Sequence, residues 1–244
     1  MIDRIINVLM IGNSFSVDAA HYTHQLSLGS DVEINVYVLY VGGCSLSQHL
    51  TFLQEGSAPY EYFINGVSTG KYISLKDALK ERQWDYVTMQ QVSVFSGIKD
   101  TYYPFLPEIM NVVRDYQKDT TFVLHQTWPY ENGFDNENFS HYDYDRRTMY
   151  KAICKAYNFA KKDMQINVVI RSGDVIENAI EEFGEHFHKD GFHLNDHGRY
   201  LAALTFVHTF NGNKLIKDLY VPEVEGFNET LCRDYDCFVY GILK

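Results

Sequence analysis

The chain has 244 residues, 45% of them hydrophobic, with 21 basic residues against 32 acidic ones and a formal net charge of -11. That length suits one large domain with a sizeable core, and the acidic balance, with no cluster of Lys and Arg, argues against nucleic acid as a partner. No apolar run approaches the roughly 20 residues that span a bilayer, so no membrane partner is expected, and the expected location is the cytoplasm, or the periplasm or exterior if a leader has been removed.

In chain order, residues 5–11 form an apolar run that reads as a buried strand, 17–28 have helical spacing, and 32–41 read as a second strand. A short helix at 76–83 leads into a third strand at 86–89, which ends at Gln90-Gln91. A helix at 107–118, a strand at 121–125, a strongly patterned helix at 146–162 and a strand at 166–170 follow, and helices at 175–183 and 197–210 close the series. Strands alternating with helices predict an α/β fold: a three-layer α/β/α sandwich around a central parallel sheet of about five strands. One domain, 1–244, is expected. Residues 60–74, with Asn65-Gly66 between aromatic segments, read as a hairpin insertion, 129–145 as a polar surface loop, and 217–244 as a C-terminal extension with no clear pattern. The cysteines, Cys44, Cys154, Cys232 and Cys237, form no CxxC pair and read as free thiols, with a Cys232–Cys237 bridge as the alternative in an exported protein.

Ser14, in Gly12-Asn13-Ser14-Phe15-Ser16, falls on the turn leaving the first strand, where ligands bind in open parallel sheets. A hydroxyl there sits among free backbone N–H groups, although the turn also reads as a strand exit with Ser16 or Asp18 as helix N-cap. Near the other end, Asp190-Gly191-Phe192-His193 offers a carboxylate and an imidazole three residues apart. Serine, histidine and aspartate are the parts of an activated hydroxyl nucleophile. A competing reading takes His186, His188 and Asp190 as metal ligands of a metal-dependent hydrolase. Asp174 reads as a helix N-cap, and Trp128, Tyr130, Tyr142 and Tyr144 flank the loop after the fourth strand, where exposed rings stack on a sugar face.

Taken in order, these blocks resemble the SGNH, or GDSL-like, hydrolases. Gly12-Asn13-Ser14 is similar to the family's nucleophile block, with Asn13 in place of the commoner aspartate, and Asp190-Gly191-Phe192-His193-Leu194 matches its Asp-x-x-His ending. The resemblance implies Ser14 as nucleophile, His193 as general base, Asp190 as its orienter, and an oxyanion hole from the N–H groups of Ser14 and Gly43, the latter in Gly42-Gly43 after the second strand. The family's third block carries an asparagine donor; this chain has Gln90-Gln91 there, and Gln90 is the expected donor with Gln91 in reserve. The implied activity is a serine esterase acting on an acyl ester, O-acetyl above all, on a carbohydrate or other small ester, with no cofactor. A glycan-binding relative without turnover is the other alternative.

Overall fold

The computed structural model describes residues 2–184 and 186–244. Its centre is a seven-stranded sheet in the order β4-β3-β2-β1-β5-β6-β7. The strands are β1 (Arg4–Gly12), β2 (Val32–Tyr40), β3 (Tyr60–Ile64), β4 (Val67–Ile73), β5 (Tyr86–Met89), β6 (Thr121–His125) and β7 (Val168–Ile170). β2, β1, β5, β6 and β7 run parallel and are the five strands expected from the sequence. Val8, Leu9, Met10 and Ile11 of β1 are all buried, as a strand covered on both faces requires. The chain reverses its direction of growth between β1 and β5, and such a switch point opens a crevice at the strands' carboxyl ends.

The sheet is two strands larger than expected because the 60–74 hairpin does not stand apart from it. β3 pairs antiparallel with β2, and β4 with β3. The turn is made by Asn65 and Gly66, both at positive φ, which suits a two-residue hairpin turn. Asn65 Oδ1 also accepts the Val36 N–H at 2.8 Å, tying the turn to β2.

The helices are α1 (Ser14–Ala20), α2 (Thr23–Ser27), α3 (Leu46–Glu55), α4 (Leu75–Glu81), α5 (Phe105–Tyr116), α6 (Arg146–Asp163), α7 (Ser172–Phe183), α8 (Asp196–Phe210) and α9 (Glu229–Leu243). The single helix expected over 17–28 is thus two short ones. α3 lies beyond the elements expected above, although its start carries a local signal, Ser-x-x-Gln: Ser45 and Gln48 form a capping box, and Gly56 ends the helix in the left-handed region. In the C-terminal extension, α9 buries Cys232, Tyr235, Asp236 and Val239, one stripe at helical spacing. The stripe lies against α8, where Asp236 pairs with His208 at 2.8 Å. All four cysteines are free thiols; Cys232 and Cys237 both lie on α9.

Candidate active site

β1 delivers the chain to the switch point, and Asn13 converts strand into helix. Its backbone is extended and its Oδ1 accepts the Phe15 N–H at 3.1 Å, so Asn13 is the N-cap of α1, in place of the expected Ser16 or Asp18. Ser14 is therefore the first helical residue, whose N–H has no carbonyl one turn earlier in the helix to accept it. After β2, Gly43 sits at φ +62 in an exposed turn, a backbone state that favours glycine.

The third contribution comes from the segment before α8. Asp190 Oδ1 accepts the N–H groups of Phe192 (3.3 Å) and His193 (2.8 Å), while Oδ2 accepts His193 Nδ1–H at 2.8 Å. Gly191 at φ +90 makes this tight return possible. With its proton on Nδ1, the neutral imidazole presents an acceptor at Nε2, 2.9 Å from Ser14 Oγ. Burial pushes the Asp190 carboxyl up, but the hydrogen bonds from the His193 side chain and backbone outweigh it and hold the group below its ordinary range. The opposite side of this segment is fixed by Trp128, whose Nε1–H donates to Phe192 O at 2.8 Å, and by the Glu131 N–H on Gly191 O at 2.8 Å.

The chain from residue 7 to residue 234 matches the model of a domain of unknown function, DUF4886. The chain belongs to the DUF4886 family. A DUF4886 family protein from Bacteroides uniformis is 32% identical over 98% of this chain and 95% of that one, with a TM-score of 0.90. A protein from Slackia heliotrinireducens assigned to the SGNH hydrolases superposes with a TM-score of 0.61 at 24% identity, covering 84% of this chain and 98% of its own. An acetylxylan esterase from Geobacillus stearothermophilus, Axe2, gives 0.56 at 12% identity, covering 84% and 93%. The fold of this DUF4886 protein is accordingly that of the SGNH hydrolases. No curated protein matches the chain.

Ser14, Gly43 and His193 of the DUF4886 chain line one cavity of about 240 Å³, whose other walls include Phe15, Tyr40, Val92 and Phe192. A larger cleft of about 570 Å³, between the 217–221 segment and α9, lies away from the switch point and holds no serine-histidine pair, so its size does not mark it as the site.

The glutamines differ from expectation. Gln90 is buried, its Nε2–H donates to Asn13 Oδ1 at 2.8 Å, and its Oε1 accepts Ser16 Oγ–H at 2.9 Å and faces His125 Nδ1 at 2.8 Å. It braces the strand exit, its amide spent on Asn13, Ser16 and His125, and it is not among the residues that line the cavity. Gln91 is equally committed: Nε2 donates to Thr101, and Oε1 accepts the N–H groups of Leu46 and Val92.

The metal-ligand reading of 186–190 is not supported by the geometry. His188 Nε2 faces Pro129 O at 3.1 Å, His186 Nε2 faces Phe183 O, and Asp190 is turned to His193. Among the described residues no three His, Cys, Asp or Glu side chains are grouped as a metal would need. Trp128, Tyr130 and Tyr142 are buried, and only Tyr144 of the four rings is exposed. Trp128 stacks on Phe15 at 4.2 Å, which makes it part of the floor under α1. Asp174 is the third residue of α7, salt-bridged to Arg171 at 2.6 Å, and is not its N-cap. His125 and Asp18 also support the site without any local signal: His125 faces Gln90 Oε1, and Asp18, instead of capping a helix, accepts the Leu194 N–H, contacts between distant segments that no local pattern encodes.

Proposed function

We propose that this protein is a serine hydrolase that cleaves a short acyl ester, O-acetyl above all, from a carbohydrate. The observation that carries the reading is the unbroken chain Ser14 Oγ, His193 Nε2, His193 Nδ1, Asp190 Oδ2, with links of 2.9 and 2.8 Å. These distances suit a nucleophile, a base and an orienter already in place.

Ser14 Oγ attacks the ester carbonyl carbon while His193 Nε2 takes its proton, and Asp190 stabilises the imidazolium. The oxyanion of the tetrahedral intermediate falls to the backbone N–H groups of Ser14 and Gly43. Collapse breaks the bond to the alkoxy oxygen, which leaves as alcohol with the proton from His193. Water then attacks the acyl-serine, again giving a proton to His193, and the acid departs as Ser14 recovers its hydrogen. The reaction calls for no cofactor.

A cavity of about 240 Å³, below the roughly 300–1,000 Å³ of sites that enclose drug-sized ligands, supports a short acyl group with the alcohol left outside. The likeness to an acetylxylan esterase is a likeness of fold, and supports carbohydrate as the alcohol by analogy.

Ser14→Ala and His193→Ala are each expected to remove nearly all turnover of p-nitrophenyl acetate, and a fluorophosphonate is expected to label wild-type Ser14 alone. Full activity in either folded variant refutes the mechanism. Acetylated xylo-oligosaccharides assayed for acetate release test the substrate class; saccharide binding without labelling or release would identify a binding module instead.

A further inference from the structure

The Asp18 carboxylate lies outside the Ser14–His193–Asp190 chain, yet it touches both of the segments that must meet for that chain to form. It stands four residues after Ser14 on α1 and is 3% exposed. Its Oδ2 accepts the N–H of Leu194, the residue after His193, at 3.0 Å. Its Oδ1 accepts Arg199 Nε–H, from the first turn of α8, at 2.8 Å. A parallel link runs beside it: Tyr22 OH donates to Asp196 Oδ1 at 3.2 Å, and Asp196 faces Arg199 at 3.6 Å.

A carboxylate is costly to bury unless paired and hydrogen-bonded, and this one is paired across the seam between nucleophile helix and histidine segment. Asp190 turns the ring but belongs to the same short loop as His193, so it cannot fix where that loop sits relative to α1. Trp128 and Glu131 hold the loop from the β6 side; Asp18 holds it from the side of the serine. Resting on the serine mechanism proposed above, we infer that Asp18 is a positioning residue that sets the separation of His193 Nε2 from Ser14 Oγ through the backbone of residue 194. An asparagine at 18 keeps the shape but turns an N–H toward one of two donors, so the seam loosens.

The test compares Asp18→Asn with Asp236→Asn, in which an equally buried carboxylate at the α8–α9 contact, bonded to His208, Arg233 and the Ile216 N–H, is damaged away from the site. Melting temperature, kcat and KM for p-nitrophenyl acetate are measured for both, beside Ser14→Ala. Both are expected to melt earlier, but only Asp18→Asn is expected to lose kcat, by about 10- to 100-fold with KM within about two-fold, since an ångström of misplacement costs up to about 10² in rate. Wild-type kcat in folded Asp18→Asn, or an equal loss in Asp236→Asn, overturns the proposal. Should Asp18→Asn not fold, Arg199→Gln frees the same carboxylate from a partly exposed position, and is expected to lower kcat about three- to ten-fold; unchanged kcat there overturns it too. If Ser14→Ala keeps its turnover, it is the serine mechanism that fails; if it is inactive while Asp18→Asn is not, only the role of Asp18 fails.

Discussion

Gln90 donates its amide N–H to Asn13 Oδ1 at 2.8 Å, and this bond makes a residue of the third block a support for the residue that caps the nucleophile helix. Because Asn13 Nδ2 also donates to Cys44 O at 3.1 Å, the exits of β1, β2 and β5 are tied together at one point. The turn carrying Ser14 and the turn carrying Gly43 are thereby held in a fixed relation.

Gln90→Ala is expected to act first on stability. It strips partners from Asn13, Ser16 and His125 in the core, and a buried polar group left unpaired costs about 1–3 kcal/mol. Urea denaturation should show a lower midpoint with an unchanged slope. A variant of wild-type stability with kcat down by about 10² to 10³, the signature of one lost oxyanion donor, would restore Gln90 to the oxyanion hole.

Trp128→Ala is expected to destabilise by roughly 3–5 kcal/mol, the range for emptying a large aromatic from a core. Its ring is fully buried against Phe15, and its N–H holds the carbonyl of Phe192. The thermal midpoint checks this, and a loss of saccharide affinity at full stability would return Trp128 to a sugar-stacking role.

Acid is expected to weaken the fold before it protonates the carboxylates. Burial holds His49 and His125 down at about 3 and His188 at about 4, from an ordinary 6.5. These folded values are depressed, so between about pH 6.5 and the folded values the unfolded chain binds protons that the native chain does not. Stability therefore falls as pH falls through this window, by roughly 3 kcal/mol for His188 alone. Melting curves from pH 7 to pH 4 check it; a flat midpoint would mean that these rings are not held neutral.

Native thiol titration is expected to find one fast cysteine, Cys237, which is exposed. Burial pushes Cys44 up to about 12 and Cys154 to about 11, and raises Cys232, so little thiolate is present to react. Four thiols should titrate after unfolding. Fewer than four would reveal a bridge.

What the residues determined by themselves is the periodic part of the molecule and its ends. Apolar runs bounded by turn residues identify the five parallel strands, and β1 is legible because a strand covered on both faces needs no polar alternation. Asp190 and His193 are legible as a pair because three residues of one turn bring them together. Only the tertiary structure decided that Ser14 and His193, 179 positions apart, meet at one sheet edge, that the 60–74 hairpin extends the sheet, and that α9 closes on α8. It also decided what Gln90, Trp128 and Asp18 touch. Their partners lie far along the chain, and a side chain's bonds across a core depend on how the layers stack, which local spacing does not encode.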